Sequence, residues 1–285
     1  MSPREQRAQM ARETLAIVQA GSYVDDAGRR IEITEAVTAC IGATRLFLPE
    51  DIESLALEPQ GGVRAHETAF DVRNENTLTA LGRLVAAGHR RVGVLNFASA
   101  HHPGGGFERG AQAQEEALAR SSALYASLVS PAAVAFYKHA REAASCLYTD
   151  RVILSPDCPV FRDADGRLLR EPLSATFLTC AAPNASALRT NEPECLSLLQ
   201  ETFDRRVAGV LALAALAGCD ALILGAWGCG VFGNDPELVA ATFARHLRDG
   251  GAFEKQFAYV DFAVLDSAAD SARLRAFERA FPART

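Results

Sequence analysis

Several features that mark large classes of protein are missing from the sequence. The longest apolar run, residues 207–217, is too short to span a membrane. Residues 1–19 contain no apolar segment of the kind that a signal peptide carries. Internal repeats and low-complexity tracts are also absent. These absences argue against a membrane-spanning or repeat protein, and they make the cytoplasm the expected location.

The sequence also lacks closely spaced cysteine pairs and a net positive charge. The seven cysteines are scattered and form no C-x-x-C pair, so the sequence predicts neither a zinc site nor a disulfide framework. Lysine and arginine number 29 against 35 aspartates and glutamates, which gives a net charge of −6. Because an acidic protein does not attract polyanions through its overall field, we expect no direct nucleic-acid binding. Any anionic ligand must be held locally, and the sequence predicts no metal or other cofactor.

What the chain does contain is a regular alternation of strand and helix patterns from Thr68 onwards. Buried strands are predicted at residues 91–98 and 220–225, and single long helices at residues 112–129 and 192–217. Such alternation is typical of an α/β sheet with helices on both faces. Ligands of these sheets bind where the strands end, at their carboxyl edge. The composition, 49% hydrophobic, is ample for the core of such a fold.

We expect one main domain, residues 65–285, and a mainly helical N-terminal extension, residues 1–64, that packs on it. A helical pattern stops at Gly21, a short strand follows at residues 31–33, and Thr34 is the predicted N-cap of the next helix. The chain is longer than the usual single domain but too short for two large ones. An alternative for the extension is that it only covers an edge of the sheet.

The sequence is organised around a glycine-rich turn, residues 103–107, which follows the predicted strand at residues 91–98. A helical pattern that begins with Gln114, Glu115 and Glu116 comes after it. Consecutive glycines let backbone N–H groups approach a ligand closely and adopt positive φ. The N-terminus of the following helix favours negative charge. This first turn is therefore a place to hold a phosphate-bearing ligand beside an acid.

A second glycine-rich turn, residues 225–234, also follows a strand and precedes a helix. Residues 228–233 match the dinucleotide-binding pattern G-x-G-x-x-G. No acidic residue closes a strand at the usual distance, however, and too little chain remains for a second mononucleotide-binding half. A tight turn without a ligand is another alternative. We favour a second phosphate loop, which faces the first and holds a diphosphate with backbone N–H groups.

The combination of motifs resembles the signature of poly(ADP-ribose) glycohydrolases. Gly104-Gly105-Gly106 is followed after seven residues by Gln114-Glu115-Glu116, and residues 96–99 and 225–234 are similar to the bacterial-type branch. The resemblance covers residues 68–281. It implies a three-layer α/β/α macrodomain with a mixed central sheet that binds ADP-ribose. In one departure, His102 stands where the family often has an asparagine that contacts a ribose, although histidine can also donate a hydrogen bond.

The two glutamates are the predicted catalytic residues. Adjacent helical residues point about 100° apart, so Glu115 and Glu116 cannot share one task. If the apolar stripe from Ala113 to Leu128 faces the core, Glu116 lies about 100° from it and Glu115 about 160°. Glu116 would then stand between core and cleft, where partial burial raises a carboxyl pKa. The alternative is a surface ion pair between Glu116 and Arg120, four residues apart.

The resemblance assigns the role of general acid and base to the second glutamate of the signature, which is Glu116. Glu115 is then expected to hold ribose hydroxyls and Gln114 to brace the loop. Phe107 is expected to press on the terminal ribose, and Phe232 to pack on the distal ribose or adenine, although a lone phenylalanine is more often a core residue. The predicted substrate-binding residues are Asn96, Ser99, His102, Gly104, Gly105, Gly106, Phe107, Gln114, Gly225, Gly228, Cys229, Gly230, Val231, Phe232 and Asn234. Asn74 is expected near the adenine.

The resulting functional hypothesis is a metal-independent glycosidase that releases ADP-ribose from poly(ADP-ribose). The reaction cleaves ribosyl–ribose O-glycosidic bonds through an oxocarbenium-like state. The acidic net charge favours binding of the terminal ADP-ribose unit over binding along the polyanionic chain, so cleavage mainly from the chain end is expected. Two alternatives remain open, a macrodomain that binds ADP-ribose without cleaving it and a hydrolase of mono-ADP-ribosylated proteins. The expected partners are poly(ADP-ribose), ADP-ribose and ADP-ribosylated proteins, with no membrane contact and a monomeric state.

Overall fold

The computed structural model describes residues 1–57, 66–143, 145–248 and 250–282. The helices are α1 (Pro3–Ala20), α2 (Thr34–Ala43), α3 (Pro49–Leu57), α4 (Thr77–Ala86), α5 (Gln114–Ser121), α6 (Leu124–Leu128), α7 (Val134–Ala143), α8 (Ala185–Asn191), α9 (Leu199–Leu216), α10 (Pro236–Leu247) and α11 (Ala272–Ala280). The strands are β1 (Ser22–Val24), β2 (Arg30–Glu32), β3 (Arg45–Phe47), β4 (Ala69–Arg73), β5 (Val92–Phe97), β6 (Val152–Arg162), β7 (Leu168–Cys180), β8 (Ala221–Leu224) and β9 (Tyr259–Ala263). No helix in these described ranges is long and apolar enough to cross a membrane.

Seven strands form one mixed sheet in the order β3-β6-β7-β5-β8-β9-β4. The five strands from β7 to β4 run parallel, whereas β6 and β3 pair antiparallel at one end. Strands β1 and β2 form a separate antiparallel pair. Because parallel strands end at the same edge, the chain segments that follow β5, β7, β8 and β9 meet there. The mixed central sheet predicted from the sequence is confirmed.

Helices cover both faces of the sheet and create two hydrophobic cores. Successive side chains of a strand point to opposite faces, and on β5 Val94 enters one core while Leu95 enters the other. The first core is completed by helices α2 and α4–α7, and the second by α3, α9, α10 and α11. These layers are the expected three-layer α/β/α arrangement.

The N-terminal segment takes part in both the sheet and the surroundings of the first turn. Strand β3 extends the sheet at its edge, where Arg45 pairs with Leu154 of β6. Helix α1 lies against α5 and the short 3₁₀ turn at residues 107–109. The predicted boundary between residues 64 and 65 lies outside the described residues.

Helix α1 ends at Gly21, as predicted, with φ +68°. Two other local predictions fail because of tertiary contacts. The prediction for Thr34 is wrong, because it is the first residue of α2 and its hydroxyl donates to the Gly21 carbonyl at 3.2 Å. The helix predicted at residues 112–129 is broken, because Ser122 is extended and bridges to Val160 of β6.

Two further elements differ in extent from the predictions. Strand β6 is one continuous strand through Pro156 and Pro159, with a register shift against β7 between Ser155 and Cys158. An irregularity of this kind lets a strand tolerate proline. The helix predicted at residues 192–217 starts as a 3₁₀ turn, Pro193–Leu198, before α9, and α8 in front of it was not predicted.

Candidate active site

A cleft of about 830 Å³ lies at the carboxyl edge of the sheet, beside the N-termini of α4 and α5. Both glycine-rich turns reach this edge, as predicted from the strands that they follow. The predicted site residues that line the cleft are Ser99, Gln114, Glu115, Glu116, Gly228, Gly230, Val231 and Phe232. The structure thus brings the start of α5 and Ser99 together with the second turn, more than 100 positions further along the chain, while the first turn lies behind the glutamates.

The first turn wraps around the carboxyl groups at the start of α5. Gly104 and Gly105 have φ of +66° and +60°, a region that favours glycine. A Cβ on Gly105 would lie 2.9 Å from the carboxyl carbon of Glu116 and 3.2 Å from Oε2 of Glu115. Backbone conformation therefore favours glycine at position 105, and an added Cβ would displace the carboxyl group of Glu116.

Glu115 is the more deeply buried of the two glutamates, with 3% of its surface exposed. Its Oε2 accepts a hydrogen bond from the Ser99 N–H at 2.7 Å, and Oε1 accepts one from Asn96 Nδ2 at 3.4 Å. Burial raises the pKa of Glu115 to about 8, and the nearby charge of Glu116 acts in the same direction. Glu115 is therefore largely protonated, and so neutral, at pH 7.

Glu116 is half-buried and faces the cleft. Its Oε1 accepts a hydrogen bond from the Gly106 N–H at 3.0 Å. No ion pair between Glu116 and Arg120 is present among the described residues, because Arg120 donates instead to the Ala111 carbonyl at 2.7 Å. The predicted alternative, a surface ion pair, is therefore wrong.

The helical-wheel prediction that Glu115 lies farther from the core than Glu116 is also wrong. It treated the stretch from Ala113 to Leu128 as one helix. In the structure Ala113 is extended and α5 begins at Gln114, while Leu128 belongs to α6. The stripe therefore did not define the inward direction of α5.

Gln114 braces the end of β5 rather than the glycine turn. Its Oε1 accepts from the Phe97 N–H at 2.9 Å, and its Nε2 donates to the Leu95 carbonyl at 2.8 Å and to Thr77 Oγ1 at 3.3 Å. The side chain links the last residues of the strand to the start of α4. This arrangement fixes the floor of the cleft.

Asn96 and Phe107, both predicted to contact substrate, lie beneath the cleft. Asn96 is fully buried and donates to Glu115 and, at 3.2 Å, to Thr179 Oγ1. Phe107 is 1% exposed, and its ring packs 4.7 Å from that of Tyr125. The corrected positions make Asn96 a support for Glu115 and Phe107 a hydrophobic anchor for the first turn.

The second turn is held by side chains that were predicted to contact substrate. Asn234 is 5% exposed and donates to the carbonyls of Pro183 and Gly228 at 2.8 and 3.0 Å. A Cβ on Gly225 would lie 2.6 Å from the Ala263 carbonyl oxygen. Burial raises the pKa of Cys229 to about 12, so this thiol is neutral. These residues shape the turn without lining the cleft.

Nine predicted residues in total do not line the cleft. They are Asn96, His102, Gly104, Gly105, Gly106, Phe107, Gly225, Cys229 and Asn234. Most support the residues that do line it, through packing or backbone hydrogen bonds. His102 is exposed at the first turn, where its carbonyl accepts the Gly105 N–H at 3.0 Å.

Comparison with known proteins matches the sequence and fold of this chain to one family. The family model for the catalytic domain of microbial-type PARG matches residues 11–163. The crystal structure of poly(ADP-ribose) glycohydrolase (PARG) from Thermomonospora curvata is 45% identical in sequence, with a TM-score of 0.92 over 97% of this chain and 100% of that one. The chain belongs to the microbial-type PARG family.

Two further PARG structures contain a ligand. One from T. curvata is bound to the inhibitor ADP-HPD, is 45% identical and has a TM-score of 0.89 over 96% of this chain and 99% of that one. One from Deinococcus radiodurans is in complex with ADP-ribose, is 43% identical and has a TM-score of 0.82 over 86% of this chain and 97% of that one. A search of curated proteins found no match.

Several residues that line the cleft were not predicted from the sequence. They come from the extension, from the turn between β6 and β7, from the segments that follow β4 and β9, and from the start of α11; examples are Arg7, Met10, Asp163, Asp165, Glu75, Leu265 and Arg273. The turn at residues 163–166 was recognised as a turn, but nothing in the sequence placed it at the cleft. For Arg7 and Met10 no sequence signal exists, because their position depends on how α1 docks.

Asn74 does not line the cleft, and its expected position near the adenine stays a prediction. Its Nδ2 donates to the Asp266 carbonyl at 2.8 Å, and its Oδ1 accepts from the Asp266 N–H at 3.0 Å. The amide group is therefore committed to a loop after β9. Asp266 in turn pairs with Arg273 at 2.9 Å, which holds the cleft-lining arginine in place.

Proposed function

We propose that this PARG hydrolyses ribosyl–ribose bonds of poly(ADP-ribose), mainly at the end of the chain, with Glu116 as general acid and base. The observation that carries the proposal is the position of the Glu116 carboxyl group. Oε1 is fixed by the Gly106 N–H at 3.0 Å, while Oε2 has no hydrogen-bond partner among the described residues. One oxygen is thus held and the other is open to a ligand in the cleft.

The proposed reaction needs one carboxyl group to act twice. In the proposed reactive state both glutamates are protonated, and Glu116 donates its proton to the leaving ribose oxygen as the glycosidic bond breaks and an oxocarbenium-like state forms. The resulting carboxylate then takes a proton from the attacking water. Glu115, neutral at pH 7, stands beside it and can hydrogen-bond a ribose hydroxyl without adding a second negative charge.

The ligand is proposed to bind with its diphosphate between the two glycine-rich turns. Backbone N–H groups of the second turn at Gly228, Gly230 and Val231 would bind the diphosphate. Ser99 also lines the cleft, and its hydroxyl is a further candidate donor because its N–H is bonded to Glu115. Phe232 lines the cleft, and its ring suits contact with the distal ribose or the adenine. This placement would bring the anomeric carbon of the terminal ribose to Glu116.

The same proposal covers the partners and organisation of the chain. Its substrates are the free polymer and polymer attached to proteins, and its product is ADP-ribose. We propose that it acts as a monomer in the cytoplasm, without metal, cofactor, nucleic acid or membrane. Residues 1–64 would serve as an extension of a catalytic domain at residues 65–285. The net charge of −6 supports a grip on the terminal unit rather than movement along a polyanion.

The decisive experiment is Glu116→Gln, measured with defined polymer and with ADP-ribose. Loss of the acid and base is expected to lower the hydrolysis rate by about 10²–10⁴-fold, because an amide cannot transfer the proton. Calorimetry is expected to show ADP-ribose affinity within a few-fold of the wild type. Short products should appear from the start of a time course if cleavage is terminal.

The matched control is Glu35→Gln, which changes an exposed glutamate in the first turn of α2, away from the cleft. Its activity should equal that of the wild type. Retained hydrolysis by Glu116→Gln would remove Glu116 from the mechanism. A wild-type protein that binds ADP-ribose and cleaves only mono-ADP-ribosylated protein, or nothing, would support the corresponding alternative function.

A further inference from the structure

Two arginines lie side by side in the part of the cleft beyond Glu116. Arg7 comes from α1 and Arg120 from α5, and both line the cleft. Nε of Arg7 donates to the Gly110 carbonyl at 2.9 Å, and Nη1 of Arg120 donates to the neighbouring Ala111 carbonyl at 2.7 Å. The two guanidinium groups are therefore anchored on consecutive carbonyls, between the glycine turn and the glutamates.

Within the described ranges, this pair of cations is held by backbone carbonyls and not by direct ion pairs. Neither arginine forms an ion pair with a carboxylate within the part of the chain that the structure describes. Arg120 is only 5% exposed, and its pKa is lowered by burial and by the charge of Arg7, while Glu116 acts in the opposite direction. A desolvated cation next to a like charge is costly unless an anion compensates it.

The acidic residues across this part of the cleft are already engaged locally. Asp163 accepts the backbone N–H groups of Asp165 and Arg167, both at 2.9 Å. Asp165 pairs with the Arg167 side chain at 3.1 Å. The guanidinium N–H groups of Arg7 and Arg120 that do not contact Gly110 or Ala111 have no other hydrogen-bond partner among the described residues. They remain free to bind a ligand.

We infer that Arg7 and Arg120 form an anion subsite for a phosphate group of the leaving unit of the substrate. The inference rests on the proposed function, in which the terminal ADP-ribose lies between the glycine turns with its anomeric carbon at Glu116. Arg120 is one helical turn beyond Glu116 on α5, and we place the leaving group on that side of Glu116. That leaving group is the next unit of the polymer, whose ribose carries a diphosphate, and arginine binds phosphate oxygens through several N–H groups at once.

The test compares two substrates whose leaving units differ in that diphosphate and in the ribose attached to it. One is the ADP-ribose dimer, and the other is ADP-ribose joined through the same ribosyl bond to adenosine without its 5′-diphosphate. Wild-type kcat/KM is expected to be higher for the dimer and to fall more steeply with rising KCl. Arg7→Gln should lower kcat/KM on the dimer by about tenfold, with little change on the adenosine substrate.

The matched control is Arg4→Gln. Arg4 lies on the same helix, and its Nε donates to the Arg109 carbonyl at 3.0 Å, but it does not line the cleft. The ratio of kcat/KM on the dimer to kcat/KM on the adenosine substrate should be the same for Arg4→Gln as for the wild type. ADP-ribose affinity, measured by calorimetry, should be unchanged in both variants because the terminal unit binds elsewhere.

Three outcomes would overturn the inference, and they can be told apart. An equal loss on both substrates in Arg7→Gln would mean that Arg7 only anchors the loop at Gly110. An unchanged kcat/KM on both would mean that no phosphate is bound there. A wild-type protein that cleaves neither substrate while binding ADP-ribose would overturn the proposed function itself, and the subsite with it.

Discussion

Gly105 shows how a single residue controls the geometry of the two carboxyl groups. Its φ of +60° and the close approach of Glu116 leave no room for a side chain. Gly105→Ala is expected to lower kcat by about a hundredfold, because it displaces the Glu116 carboxyl group. The strained backbone should also cost about 1–2 kcal/mol of stability. Steady-state kinetics and thermal unfolding would measure both.

Gly230→Ala is the control for this change. Gly230 also lines the cleft, but a Cβ there would have no atom within 4 Å, and its φ is not positive. The alanine variant should fold as the wild type does and keep its kcat, with any change confined to KM because Gly230 belongs to the proposed diphosphate-binding turn. A similar loss of kcat in both variants would contradict the prediction, because it would show that an added methyl group lowers kcat even where it does not contact Glu116.

The buried carboxyl group of Glu115 predicts a pH dependence of stability. Its pKa is about 8 in the folded protein and 4.5 in its ordinary state. Between these values the folded chain binds a proton that the unfolded chain has released, so stability falls as pH rises from 4.5 to 8. Glu115→Gln removes this loss, so the Tm of the variant relative to the wild type should rise by several degrees between about pH 5 and pH 8. Calorimetry at both pH values, with Glu35→Gln as control, measures the difference; an equal difference at both would contradict the raised pKa.

At the scale of an element, the second glycine turn depends on one buried amide. Asn234 holds the carbonyls of Pro183 and Gly228. Asn234→Ala leaves both carbonyls without that donor, which is expected to cost about 1–3 kcal/mol of stability. The turn should also lose its fixed shape, so ADP-ribose should bind more weakly. Chemical denaturation and calorimetry measure the two effects.

Asn191→Ala is the corresponding control. Asn191 ends α8, and its exposed side chain makes only a weak contact with the Cys146 sulfur at 3.9 Å. Neither stability nor affinity should change appreciably. An Asn234→Ala variant with normal stability but weak binding would assign Asn234 to the ligand rather than to the turn.

Element boundaries were predicted well where the signal was local. Gly21 ends α1 because it adopts positive φ, and the strands at β5 and β8 were found from their continuous apolar runs. The break at Ser122 was missed, because it is made by pairing with Val160, which lies on another part of the sheet. Such a long-range contact leaves no mark on helical periodicity.

At the scale of the whole molecule, a buried ionic cluster joins the sheet to α4. Arg83 pairs with Glu75 and with Asp261, both at 2.6 Å. Asp261 is fully buried on β9, and burial raises its pKa to about 6. Arg83→Met would leave this carboxylate unpaired and is expected to cost about 3–5 kcal/mol near neutral pH.

The loss caused by Arg83→Met should shrink as pH falls. The folded-state pKa of Asp261 is raised, so protonation favours the folded protein below about pH 6 and relieves the unpaired charge. Chemical denaturation of Arg83→Met and the wild type at neutral and at acidic pH would measure this decrease in the stability loss. Adding Asp261→Asn to Arg83→Met should restore part of the stability. A loss independent of pH would point to packing of the arginine side chain instead.

The sequence by itself determined the alternating strands and helices, the two glycine turns and the pair of glutamates beside the first turn. These follow from local causes, namely side-chain periodicity, the conformational freedom of glycine and the meeting of parallel strand ends at one edge. Only the tertiary structure decided that Glu115 is buried and Glu116 faces the cleft. It alone placed Phe107 in the core and brought Arg7 to Arg120. The physical reason is that burial and charge pairing depend on segments far apart in the chain, whose docking is set by packing against the sheet.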